Sequence, residues 1–98
     1  MSMLNPVHPG RILRACMGDL TVTALAKHLK MPRVNLSNIL SGKLGISAAV
    51  ALKLGEAFPN QDAALWLKLQ SSYDLAQARK KNKKMKRAKI KPVLLKAA

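Results

Sequence analysis

The segment VTALAKHLKMPRVNLSNILSGK, residues 22–43, decides the fold of this chain. Its first half repeats apolar residues at the spacing of one helix face: Val22, Leu25, Ala26 and Leu29. After Pro32 its second half does the same with Leu36, Ile39 and Leu40. Two short helices around a tight turn, with a small residue such as Ala26 where they cross, are typical of a helix-turn-helix. The segment therefore predicts that motif.

The second helix of this motif has an outward face of short or hydrogen-bonding side chains and one arginine. In the DNA major groove an Arg can pair with guanine, an Asn with adenine, and an apolar group can meet the thymine methyl. Residues near the start of a recognition helix reach base edges. We therefore predict base contacts from Arg33, Val34, Ser37 and Asn38. Flanking side chains can hold phosphates, which position the protein without reading sequence: Thr23, Lys27 and Lys43.

The rest of the chain also has helical patterning. A first helix is predicted from Pro9 to Gly18, and a fourth from the cap Ser47 to Pro59. A fifth begins near Gln61 or Asp62 and continues to about residue 79. The predicted fold class is all-α, with five helices in a domain spanning residues 1–79.

The fifth helix carries two apolar stripes on nearly opposite sides. One stripe, centred on Trp66 and Tyr73, suits packing on the domain. The other suits contact with a second copy of the chain, and its residues are the predicted dimerisation set: Ala64, Leu67, Leu75 and Ala78. The alternative is a central helix that is buried on all sides within one chain.

Charge is concentrated at the C-terminal end. The chain has 18 Lys and Arg against four acids, a net charge of +14. The segment RKKNKKMKRAKIK, residues 79–91, contains no acid. We expect residues 80–98 to form a basic tail that is disordered when free, because like charges prevent packing. Nucleic acid is the favoured target of such a tail; an anionic membrane surface and a purely solubilising role are the alternatives.

Several classes of function find no support in the residues. The four acids are scattered, and no phosphate loop or nucleophile motif is present, so no catalytic residue is predicted. Two isolated histidines and the single Cys16 do not form a metal site, and no cofactor or small-molecule substrate is implied. No apolar run is long enough to span a membrane, and one cysteine suits a reducing cytoplasm. We expect a cytoplasmic protein that joins the nucleoid when bound to DNA.

Over residues 7–79 the sequence resembles the HigA/VapI-type antitoxins of bacterial toxin–antitoxin modules. The resemblance rests on HPGRIL at 8–13, LAKHLKMPRVNLSNILSGK at 25–43, GISAAVALKLGEAF at 45–58 and WLKLQSSYDLAQAR at 66–79. It implies a five-helix, Cro-repressor-like domain that forms a homodimer and binds the operator of its own operon. It also implies a partner, a RelE-like (HigB-type) toxin that cleaves mRNA.

Two residues depart from the family pattern. Lys30 stands where the turn favours Gly, and Pro32 replaces the Ser that commonly caps the recognition helix. Both departures predict altered local geometry in the turn. Three functions follow from the sequence: an antitoxin and autorepressor, a stand-alone helix-turn-helix regulator with no toxin, or a polyanion-binding accessory protein driven by the tail.

Overall fold

The computed structural model describes residues 6–85 and 89–94, and within these ranges the chain forms five α-helices and no strand. The helices are α1 Pro9–Met17, α2 Val22–Leu29, α3 Arg33–Leu40, α4 Ala48–Ala57 and α5 Ala63–Met85. The predicted all-α, five-helix architecture is confirmed. Residues 86–88 and 95–98 of the predicted tail lie outside the described residues.

Local side-chain caps start most of these helices. Thr21, Ser47 and Asp62 each accept a hydrogen bond from the backbone N–H three residues later, at donor–acceptor distances of 2.8–3.3 Å. The imidazole Nδ1 of His8 accepts from the N–H of Gly10 at 2.9 Å. A cap of this kind typically contributes about 1 kcal/mol, which explains why the helix starts follow the sequence closely.

The core lies between all five helices and is almost entirely aliphatic. Trp66 of α5 is fully buried, and its indole Nε1 donates to the carbonyl of Gln61 at 3.1 Å. Around it pack Leu13, Met17, Leu25, Ala26, Leu29, Leu36, Ile39, Leu40, Ile46, Ala51 and Leu54. The core therefore fixes α2 and α3 through their inner faces and leaves their outer faces to solvent.

Helix α5 packs on the domain along one side only. It contacts α4 and α1, and Trp66 and Gln70 are its buried residues. The predicted dimerisation residues are all exposed: Ala64, Leu67, Leu75 and Ala78. The alternative of a helix buried on all sides within one chain is therefore wrong.

The same helix extends six residues beyond its predicted end at residue 79. Its last turns consist mainly of Lys, with Lys83 and Lys84 in the final turn. Lys has good helix propensity, and cations near a helix C-terminus interact favourably with the helix dipole. These two local effects offset part of the repulsion that led us to expect disorder from residue 80. The division into a domain and a tail at residue 79 stays a prediction.

Helix α1 approaches α3 through Gly10. A methyl group built on Gly10 would overlap the backbone carbonyl oxygen of Ile39 in α3. The glycine of the His-Pro-Gly segment is thus required for a close contact between two helices. It does not have a positive φ.

Lys30 has the left-handed conformation that the turn between α2 and α3 requires, with φ 56° and ψ 50°. This conformation is strained for residues with a Cβ. We expect Lys30→Gly to raise the free energy of unfolding by about 0.5–1 kcal/mol, measured by urea denaturation. The matched control is Lys27→Gly, an exposed change inside α2. It should lower the free energy of unfolding by about 1 kcal/mol. A destabilised Lys30→Gly variant would contradict this explanation of the turn.

Candidate nucleic-acid interface

Helices α2 and α3 form a helix-turn-helix whose turn is held by backbone hydrogen bonds. The N–H of Met31 donates to the carbonyl of Ala26 at 3.0 Å, and the N–H of Lys30 donates to the carbonyl of Lys27 at 3.2 Å. Ala26 is 2% exposed, which agrees with a small residue at the helix crossing. The geometry that brings α3 across α2 thus follows from the small crossing residue and the left-handed turn.

A side chain that the sequence analysis did not single out supports this turn. The Nζ of Lys53, on α4, donates to the carbonyl of Lys30 at 3.1 Å. It places a cation beside carbonyls that have no partner within α2, where the helix dipole favours positive charge. Lys53 carries no local sequence signal, because its partner lies 23 residues away.

The outer face of α3 is accessible along its length. Arg33, Val34 and Ser37 are exposed, and the side chain of Val34 retains 63% of its accessible surface. Asn38 is half-buried at the far end of the face. At 100° per residue these four positions fall within an arc of about 140°. The structure therefore brings the four predicted base-contact residues onto one face, although Asn38 has the least room to move.

The side chains predicted to contact phosphates are all accessible. Thr23 and Lys27 are exposed on α2, and Lys43 is exposed in the loop after α3. Asn35 is also exposed on α3, and the sequence-based prediction omits it. No side chain caps α3, because its N-cap residue is Pro32. This confirms the loss of one capping bond expected from the sequence.

The loop after α3 is fixed by the backbone of Asn38. Its carbonyl accepts hydrogen bonds from the N–H of Lys43 at 2.8 Å, the N–H of Leu44 at 3.0 Å and the hydroxyl of Ser41 at 3.2 Å. Gly42 within this loop has φ 86°, as expected for a residue that ends a helix. The position of Lys43 relative to the recognition helix is therefore set by three local bonds.

Helix α5 holds the same loop from the other side. The buried Gln70 accepts from the N–H of Ile46 at 2.8 Å through Oε1 and donates to Asp74 at 2.9 Å through Nε2. The ring of Tyr73 packs edge-on against the ring of His8, with centroids 4.9 Å apart. These contacts give a structural role to Gln, Tyr and Asp of the WLKLQSSYDL segment, which marked the family resemblance. They connect the helix that carries the apolar stripe to the end of the recognition helix.

The described residues offer little chemistry besides this surface. Among them no group of three or more His, Cys, Asp and Glu side chains could hold a metal ion. Cys16 is a half-buried free thiol whose Sγ lies 3.9 Å from Oε1 of Gln61. None of the helices in residues 6–85 combines the length and the apolar composition that crossing a membrane requires.

Comparison with known proteins decides the family. A virulence-associated protein A' of Dichelobacter nodosus is 47% identical over 77 residues, which cover 76% of this chain and 67% of that protein. The structure of a HigA-family addiction-module antidote from Coxiella burnetii superposes with a TM-score of 0.81 at 36% identity, covering 91% of this chain and 99% of that one. The chain belongs to the HigA-type antitoxin family. The predicted family resemblance is thereby confirmed.

Another member of the HigA-type family has been solved on DNA. The antitoxin HigA of Pseudomonas aeruginosa, in a structure with the higBA promoter, has a TM-score of 0.79 and 39% identity, covering 92% of this chain and 100% of that one. No family model matches the chain. These two solved relatives are described as an antidote and an antitoxin, and the second was solved with promoter DNA.

Proposed function

We propose that this HigA-type chain binds and neutralises a cognate RelE-like (HigB-type) mRNA-cleaving toxin and represses its own operon as a homodimer on operator DNA. The observation that carries the proposal is the exposed face of α3 in a fold shared with an antitoxin solved on its promoter. Such a protein acts in the cytoplasm and associates with the nucleoid when it is bound to DNA.

The electrostatics support the DNA-binding half of the proposal. The net charge of +14 attracts a polyanion at long range, and Lys27, Arg33 and Lys43 place part of it around the α3 face. Polar side chains on α3 supply the donors and acceptors that base edges require. No acidic residue occurs between residues 20 and 55, the stretch that contains α2, α3 and the loop after α3.

The exposed stripe of α5 supports a homodimer. Leu67 and Leu75 keep 36% and 54% of their accessible surface in the single chain, and Ala64 and Ala78 lie on the same side of the helix. Pairing two such stripes around a two-fold axis would bury all eight side chains. A two-fold dimer presents two α3 helices, and we expect the operator to be a palindrome with half-sites about one helical turn apart.

Replacing Arg33 and Asn38 singly by Ala tests the recognition helix. Each change should cost about 1–3 kcal/mol of operator affinity, because one bidentate contact to a base is lost. The preference for a particular base should be lost at only one position in each half-site. Titration of the promoter duplex and of single-base variants measures both quantities. The matched control is Asn60→Ala, an exposed Asn in the loop between α4 and α5, which should leave affinity unchanged.

Unchanged operator affinity in both the Arg33 and the Asn38 variant would contradict the assignment of α3 as the recognition helix. It would leave the family membership intact, because that rests on the fold and the relatives.

The toxin-neutralising half requires a separate experiment. The tagged chain, expressed from its native locus, is recovered and its bound proteins are identified by mass spectrometry. We expect a stoichiometric, toxin-sized partner encoded beside this gene. That partner should arrest growth when expressed alone, and co-expression of this chain should restore growth. Recovery of DNA without such a protein would favour the stand-alone regulator instead.

A further inference from the structure

The last turns of α5 project beyond the packed domain. Ala76 is the last residue of this helix that is partly buried, and every residue from Gln77 to Met85 is exposed. At 1.5 Å per residue these nine residues extend about 13 Å. They include five cations and no acid. This projecting segment therefore presents concentrated positive charge on a regular helical frame.

The cations of this segment are not evenly distributed around the helix. Arg79, Lys80, Lys83 and Lys84 fall within an arc of about 140° at 3.6 residues per turn, and we call this set the basic face. The opposite side carries Ala78, Asn82 and Met85, in line with the apolar stripe. A second copy packed on the stripe would therefore leave the basic face uncovered.

The basic face begins close to the end of the recognition helix. Gln70 is bonded to Ile46 at 2.8 Å, and Tyr73 packs on His8. A Cβ built on Gly42, two residues after α3, would lie 3.9 Å from the His8 ring. From Tyr73 to Arg79 is six residues, or about 9 Å along the helix axis. The basic face thus starts at the same end of the domain as Lys43.

We infer that the basic face binds the phosphate backbone of duplex DNA next to the base pairs that α3 reads. This inference rests on the proposed operator binding and adds to it a sequence-independent contact. Like charges at positions i and i+4, as at 79 and 83 or 80 and 84, destabilise an isolated helix. Phosphates along a groove would neutralise them and stabilise the extension.

Two other polyanions fit the basic face less well. A helix that lies on a membrane requires several large apolar residues opposite its cations, and of Ala78, Asn82 and Met85 only Met85 is large and apolar. Single-stranded RNA is usually held on exposed aromatic rings. The three aromatic residues of the chain are occupied elsewhere: Trp66 is fully buried, Tyr73 packs on His8, and Phe58 packs against the core.

The test uses the full chain and a variant in which Arg79, Lys80, Lys83 and Lys84 are all changed to Gln. Affinity for the promoter duplex of its own operon and for a scrambled duplex is measured as a function of salt concentration. Each lost phosphate contact should reduce the steepness of the salt dependence by about 0.9. We expect affinity for both duplexes to fall at least about 10-fold, by the same factor, so that the preference for the promoter is retained.

A control variant carries the same change of net charge away from the basic face. It replaces four exposed cations by Gln: Lys68, Lys81, Lys89 and Lys91. Its affinity should fall much less than that of the basic-face variant. Equal losses in the two variants would overturn the assignment of the face, because total charge alone would then explain them.

Further outcomes separate this inference from the proposed function. If the basic-face variant keeps the wild-type salt dependence while Arg33→Ala weakens promoter binding, the inference fails and operator binding stands. If the wild-type chain shows no preference for the promoter duplex, the proposed operator binding itself fails. A loss confined to an RNA duplex, or to vesicles of equal parts phosphatidylcholine and phosphatidylglycerol, would also overturn the inference. Thermal unfolding followed by circular dichroism confirms that each variant is folded.

Discussion

Replacing Leu75 by Glu is expected to raise the dissociation constant of the proposed homodimer at least about 100-fold. A two-fold interface contains the changed position twice, and burying each Leu side chain is worth about 1.5–3 kcal/mol. The change also brings two carboxylates towards each other in a partly apolar contact. Sedimentation equilibrium measures the dissociation constant. Operator affinity should fall with it, because a monomer engages only one half-site.

The fold of the single chain should tolerate this substitution. Leu75 is 54% exposed and lies outside the core, and Glu has a helix propensity close to that of Leu. The matched control is Leu52→Glu, which makes the same chemical change at a 62% exposed leucine of α4 outside the stripe. The control should dimerise like the wild-type chain. A Leu75→Glu variant that remains a tight dimer would show that the stripe is not the interface.

Gly10→Ala is expected to lower the free energy of unfolding by about 3 kcal/mol. The added methyl would overlap the carbonyl oxygen of Ile39, and a backbone atom cannot rotate out of the way. Helix α1 must therefore move away from α3, which opens the packing around Leu13. Thermal and urea denaturation measure the loss. We also expect weaker operator binding, because α3 loses a neighbour that fixes its position.

The sign of this effect distinguishes packing from helix propensity. Ala is favoured over Gly by about 1 kcal/mol inside a helix, so propensity alone predicts that Gly10→Ala stabilises the chain. The Ala15→Gly variant measures the effect of helix propensity in the same helix. This exposed change should lower the free energy of unfolding by about 1 kcal/mol. A Gly10→Ala variant more stable than the wild-type chain would refute the close contact between α1 and α3.

Local chemistry made much of the fold predictable. Local chemistry sets where four of the helices begin. The ring of Pro9 suits the first position of α1. Side chains cap α2, α4 and α5 within three residues: Thr21, Ser47 and Asp62. The inner faces of α2 and α3 follow from a periodicity that is visible in residues 22–43. The outward positions of Arg33, Val34 and Ser37 follow from the same periodicity. The candidate interface was therefore accessible to sequence reasoning, because it lies within one short segment.

Two other features did not follow from periodicity. The end of α5 was predicted six residues too early, because a run of like charges was weighed against helix formation without the offsetting propensity of Lys. Asn38 is half-buried, which the helical periodicity of α3 does not reveal.

The five helices, the helix-turn-helix and the polar face of α3 follow from local sequence, because caps and periodicity act over a few residues. Three other features depend on the packing of the whole domain: the lack of a side chain at Gly10, the support of the turn at Lys30 by Lys53, and the bond from Ile46 to Gln70. Each of these contacts joins residues at least 23 positions apart, and their geometry exists only after the core has brought the helices together.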